Sequence, residues 1–242
     1  MCLLGQSQPI AVPYLTLIPT NVCDIVHFLV TNIKRNIVIS NVNSVHSGIP
    51  MPDVPASTAW DVAALFGRLV ELSGSGSSAR LTAAFGLVLD AQRRHEWVAW
   101  ITRRHSSFFA PDAADGGVDL DALIVVRVAD TEQATRAADE LLRANTFGAI
   151  VIDLGAGHGP AQAGPPVMNA LTRVAGLAQK YDTAVVFLTE KTDDTPSLSS
   201  LVSLRANAHS EGSNVRLDIL KDKRRGPGAS YVEVCRGSAG VY

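Results

Sequence analysis

The run Gly74-Ser75-Gly76-Ser77-Ser78-Ala79-Arg80-Leu81 has the outline of a phosphate-binding loop. Such a loop reads G-x-x-x-x-G-K-[ST] after a strand. Its glycines let backbone N–H groups close on phosphates, its Lys reaches the β- and γ-phosphates, and its Ser/Thr hydroxyl holds Mg²⁺. Gly74 stands where the first glycine belongs, but the next three signature positions hold Ala79, Arg80 and Leu81. Ala79 brings a Cβ to a place where the chain often needs positive φ. Arg80 keeps the charge in a bulkier planar fork, and Leu81 offers no oxygen to a metal. A loop so altered is expected to hold no cofactor. Gly74, Gly76 and Arg80 keep only the capacity of a helix N-terminus to receive an anion.

Other reactive side chains are scattered. Asp153 ends an apolar run and could act as a metal-holding carboxylate. With Leu81 in the metal position, it is expected instead to be satisfied by loop N–H groups. The six histidines have no ligand spacing and the three cysteines no C-x-x-C pair, so no metal site is expected. No nucleophile–base pair can be assigned. Arg93-Arg94-His95 and Arg103-Arg104 read as solvated surface, with a structural salt bridge expected for Arg104. The densest basic cluster is Lys221, Lys223, Arg224 and Arg225, ahead of Gly226-Pro227-Gly228, which reads as a hairpin turn. Two readings fit it: ordinary exposed charges, or a contact with a partner or a DNA backbone.

Composition narrows the class. A hydrophobic share of 47% with 18% charged residues is that of a globular chain. A net charge of −2 gives no global attraction to nucleic acid or to an acidic membrane surface. The most apolar window, residues 22–39, is broken by Asp24, His27, Lys34 and Arg35, which argues against a membrane span. No secretory signal pattern stands at the N-terminus, so the expected location is the cytoplasm. Residues 1–50 carry one Ala, seven Ile and five Asn, whereas 51–242 carry thirty Ala, five Ile and four Asn. That shift from AT-rich to GC-rich codon usage favours a true start at Met51. The alternative is a β-prone arm that docks on a neighbour.

From residue 59 onward the pattern alternates between strand and helix. Strands are expected over 68–72, 97–101, 123–128, 149–153 and 184–188. Helices are expected after the Gly/Ser loop, after Asp130 as N-cap with Gln133 three residues on, and over 167–179. Residues 215–220 and 230–234 alternate in the manner of antiparallel edge strands. The fold class is therefore α/β: a mostly parallel sheet with helices on both faces and antiparallel strands near the C-terminus, one domain over 51–242. The longer connections, 155–166 and 192–200, follow strand C-termini, where such sheets place their sites.

Over residues 59–234 these features resemble the RecA family of recombinase cores. Residues 67–74 look like the strand entering that family's nucleotide loop. Gly117-Val118-Asp119-Leu120-Asp121-Ala122-Leu123-Ile124-Val125 is similar to its V-D-x-D-x-L-x-V segment, and 149–153 to its Walker B strand. The departures share a direction. The resemblance puts Arg104 at the family's catalytic Glu and Glu190 at its sensor Gln. The first DNA loop would fall at 155–166, without Lys or Arg. The second would follow Glu190, with Lys191 offset by Asp193 and Asp194. The family's C-terminal domain and N-terminal polymerisation helix are expected to be missing.

A RecA-like core with a decayed loop and a basic tail resembles the ImuA family of damage-inducible accessory factors for error-prone translesion synthesis. That resemblance implies a non-catalytic adaptor of the SOS response that binds RecA and ImuB, acts indirectly with an error-prone DnaE-type polymerase and reaches the nucleoid through its partners. The decayed loop beside a retained core adds the expectation that it limits RecA filament growth. The short, largely uncharged DNA-loop positions lead to the expectation of weak or absent DNA binding, and the composition to that of no membrane partner. Two alternatives stand beside it: a divergent RecA-like ATPase acting on single-stranded DNA, and a SulA-like division inhibitor that binds FtsZ.

Overall fold

The computed structural model describes residues 60–74, 79–103, 108–154, 168–212 and 214–234. Residues 1–59, which contain the composition boundary and Met51, lie outside the described residues, as do Ser77, Ser78 and Arg104. In chain order the elements are β1 (Leu69–Gly74), α1 (Ala79–Arg93), β2 (Trp97–Arg103), α2 (Ala110–Asp115), β3 (Leu123–Val128), α3 (Thr131–Arg143), β4 (Phe147–Asp153), α4 (Met168–Lys180), β5 (Ala184–Glu190), β6 (Leu204–Glu211), β7 (Asn214–Asp222) and β8 (Ser230–Val234).

The eight strands form one sheet in the order β3-β2-β4-β5-β1-β6-β7-β8. All pairs from β3 through β6 are parallel, and β7 and β8 are added antiparallel. This is the expected architecture. The period-2 alternation of β1 shows why the sheet needs helices on both faces. Val70 and Leu72 pack with Ala83, Leu87 and Val88 of α1 in one core. Leu69 packs with Leu141 of α3 and Val174 of α4 in the other. Central strands are buried throughout, so they read as continuous apolar runs rather than as alternation.

Local chemistry sets the element ends. Asp130 caps α3: its Oδ1 accepts the backbone N–H of Gln133 at 2.8 Å, while Gln133 Oε1 accepts the N–H of Ala129 at 3.2 Å. The expected stripe of α3, Ala134, Ala137, Leu141 and Leu142, is buried as a unit. The V-D-x-D-x-L-x-V segment ties the end of α1 to the start of β3. Gln92 Nε2 donates to the carbonyl of Asp119 at 2.7 Å, and Gln92 Oε1 accepts the N–H of Asp119 at 2.9 Å. Gly117, at φ 90°, makes the bend that this clasp requires.

Three elements depart from the expected list, the first being the short helix α2, which no expectation covered. Strand β1 runs on through Ser73 and Gly74, so Gly74 is the last strand residue rather than the first of a loop. Strand β6, absent from the sequence reading, lies directly beside β1. Its Leu204-Arg205-Ala206-Asn207-Ala208 alternates faithfully, but Asn and Ala are residues that strands otherwise disfavour.

Candidate functional site

The C-terminal ends of β1, β4 and β5 bring the residues of the altered loop together. Gly74 stands opposite Glu190 in the β1–β5 register, and Asp153 opposite Leu188 in the β4–β5 register. Arg80, in the first turn of α1, leans back over β1: its Nη2 lies 3.7 Å from Glu190 Oε2. Two of the departing positions, Arg80 in the loop and Glu190 at the end of β5, are therefore an ion pair. A carboxylate of the chain itself stands beside the loop cation that the pattern would direct at phosphate.

Gly74 has a use of its own here. A Cβ at that position would meet the carbonyl oxygen of Ala208 at 2.8 Å and Arg80 Cγ at 3.0 Å. Close approach of β6 on one side and the Arg80 stem on the other accounts for a glycine without any phosphate. Ala79 needs correction. It is the first residue of α1, buried, and is not among the described residues with positive φ, so its Cβ costs nothing. Leu81 packs against the core under α1. With Leu81 turned to the core and Arg80 paired, the described loop residues do not fit a Mg²⁺–nucleotide.

Asp153 is buried, and the Thr102 hydroxyl at the end of β2 donates to its Oδ2 at 3.2 Å. The adjoining connection, 155–167, lies outside the described residues.

The connection after β5 lies over β1 and β6 as a strap, held through Lys191 and Asp193 by strand residues not singled out from the sequence, Glu71, Arg205 and Asn207. Glu71, in the middle of β1, is fully buried. Its Oε1 accepts the Thr189 hydroxyl at 2.8 Å and pairs with Lys191 Nζ at 2.7 Å, and its Oε2 accepts the N–H of Leu198 at 2.8 Å. Next in the sheet row stands Arg205, also buried, whose Nη2 donates to the carbonyl of Thr192 at 2.9 Å and whose Nη1 donates to that of Thr195. Asn207 Nδ2 donates to Asp193. Lys191 makes its ion pair with neither Asp193 nor Asp194 among the described residues. The partner of Lys191 is Glu71, because a carboxylate buried in a strand must be matched by a cation brought to it. The signal was legible in hindsight: Glu71 is the one charged residue in an otherwise uncharged strand.

The basic cluster is elsewhere. Asp222 stands opposite Leu204, and Leu204 opposite Val70, so the β7–β8 turn lies at the start of β1. That is about 17 Å of strand from Gly74. The four cations divide by environment. Lys221 follows Arg205 in the sheet row and is half-buried. Burial and the neighbouring Lys223 push its pKa down, Glu71 pulls it up, and Arg205 lowers it further. Lys223 Nζ donates to the carbonyl of Ser200 at 2.7 Å, tying the turn to the strap. Arg224 and Arg225 are exposed, and their guanidinium groups have no hydrogen bond or ion pair among the described residues. Beneath them Arg68 and Asp222 form a buried pair at 2.5 Å, with Arg68 Nε also donating to Ser203 Oγ at 3.0 Å.

Comparison with known proteins agrees with this geometry. The RecA N-terminal domain family matches residues 39–163, more than half of the chain. The chain belongs to that family. A RecA protein of Nocardioides sp. is 33% identical over 162 residues, covering 58% of this chain and 45% of the relative. That of Kineococcus radiotolerans is 32% identical over 158 residues, covering 59% and 44%. That of Bifidobacterium breve is 40% identical over a shorter 87 residues. The chain spans less than half the length of the first two relatives. Among the described residues of this RecA-like core, no helix is long and apolar enough to cross a membrane.

Proposed function

We propose that this RecA-like chain is a non-catalytic adaptor of the DNA-damage response, of the ImuA type. It supports error-prone translesion synthesis by binding RecA and ImuB, with the DnaE-type polymerase reached through them. The observation that supports this reading most is the Arg80–Glu190 pair: the loop cation is occupied by the chain's own carboxylate. A core kept in order around such a loop is worth keeping for its surfaces. The anchoring of Lys191 on Glu71 also favours weak or absent DNA binding through the strap.

In mechanism, the chain offers RecA one face of a head-to-tail assembly without a nucleotide-bridged second face. A filament needs both faces at every step, so addition of such a subunit stops growth. The test is RecA filament length and strand exchange with and without the added chain, together with capture of ImuB against FtsZ. Shortened filaments and capture of ImuB fit the proposal. Unchanged filaments overturn it, and capture of FtsZ alone turns the reading toward a division inhibitor.

A further inference from the structure

We infer that the β7–β8 turn forms a docking pocket for a short acidic peptide segment of a partner, with one apolar side chain as its anchor. At the start of β1 lies a pocket of about 190 Å³, walled by Trp60, Leu65, Ile219 and Tyr231 and rimmed by Arg224 and Arg225. The volume is below the roughly 300 Å³ at which sites for whole small molecules begin, and it suits one leucine- or phenylalanine-sized side chain. Leu65 and Ile219 are core residues and Tyr231 packs on that core, so the floor is rigid. In the wall, the Trp60 indole Nε1 has no hydrogen-bond partner among the described residues.

The rim is fixed as firmly. Asp222 Oδ1 accepts the N–H of Arg224 at 2.8 Å, and its carbonyl accepts the N–H of Gly226 at 2.9 Å. Gly226 and Gly228 both take positive φ, which a turn of this shape needs. Asp222, whose carboxylate lies under the turn, is already paired with buried Arg68. The two exposed guanidinium groups are therefore left facing solvent beside a pocket of mixed polar and apolar lining, and carboxylates flanking an apolar anchor complement them in charge.

A nucleic-acid strand fits less well. Trp60 is 8% exposed and Tyr231 lies against the core, so neither presents a free ring face for a base to stack on. Asp61 also lines the pocket, so the carboxylates of a bound segment must lie at the Arg224–Arg225 rim rather than inside it. The inference deepens the adaptor reading by naming where a partner segment seats, and its test leaves the nucleotide loop untouched.

The experiment is fluorescence anisotropy of the full chain with a fluorescein-labelled, amidated peptide that sets a leucine and a phenylalanine among aspartates. An all-aspartate peptide and a single-stranded oligonucleotide serve as comparison probes. Saturable binding of the mixed peptide is expected, weakened roughly tenfold or more in the double variant Arg224→Glu/Arg225→Glu and for the all-aspartate probe. Both substitutions are at exposed positions, and an unchanged thermal unfolding curve checks that the variant folds. No saturable binding, equal binding of both peptides, indifference to the double variant, or tighter binding of the oligonucleotide would each overturn the inference. The last outcome marks the turn as a phosphate contact instead.

Discussion

Arg80 and Glu190 face each other at 3.7 Å across the mouth of the altered loop, joining the first turn of α1 to the end of β5. Neither residue is the one that a nucleotide loop or its sensor strand would carry, and the two departures compensate each other. A loop that had merely lost function would leave a lone cation over the strand ends. Here the cation and the anion stand as a pair, which gives the site a testable energetic signature.

The pair itself should contribute little to stability. Glu190 is partly exposed and the separation is long, so Glu190→Gln is expected to cost no more than about 1 kcal/mol. Urea unfolding measures this. A loss of several kcal/mol would mean that the contact is a structural keystone rather than an occupied loop.

Glu71 is the opposite case. It is fully buried with Lys191 and Arg205 beside it, and neutralising it leaves cations without their counter-charge. Glu71→Gln is expected to cost about 3–5 kcal/mol. It should also expose the strap, residues 191–203, to limited proteolysis before the core is cut. Wild-type stability and an intact strap in this variant would contradict the role given to the ladder.

Gly74 distinguishes a packing glycine from a phosphate-binding one. Gly74→Ala places a Cβ 2.8 Å from the carbonyl of Ala208, a backbone atom that cannot rotate away. The expected cost is about 1–3 kcal/mol in thermal or urea unfolding, with no ligand present. A neutral substitution would show that β6 does not depend on the missing side chain.

Asp222 gives the fold a pH signature. Burial pushes its carboxyl pKa up, but the Arg224 N–H, the Arg68 guanidinium and the Arg225 N–H outweigh burial and hold it below the ordinary aspartate value. A depressed folded-state pKa means that the unfolded chain takes up the proton first. The stabilisation is therefore full above about pH 4 and is lost as pH falls through the lower folded value. Wild type and Asp222→Asn should differ most near neutral pH and converge in acid. Parallel curves from neutrality to acid would contradict the assignment.

The sequence carried the sheet and its helices because β2, β4 and β5 are unbroken apolar runs and α3 has both a cap and a stripe. It carried the chemistry of the loop because Ala79, Arg80 and Leu81 are informative by type alone. What it could not carry was pairing. Arg80 and Glu190 are far apart in the chain and meet only once β5 lies beside β1. The Glu71–Lys191–Arg205 ladder was hidden for the same reason, and further because β6 is built from residues that strands seldom favour. The basic cluster looked like one patch in sequence. Strand alternation and the turn divide it into one half-buried lysine, one tied lysine and two free arginines.

The most direct test of the account is thermal unfolding of the chain titrated with ATP–Mg²⁺. A surviving site would add stability as RT ln(1 + [L]/Kd), about 2.7 kcal/mol at a hundredfold excess over Kd. The account predicts no shift up to millimolar nucleotide, with Arg80 held by Glu190 and no metal ligand at Leu81. A saturable, Mg²⁺-dependent rise in Tm would contradict it and make the chain a divergent RecA-like ATPase.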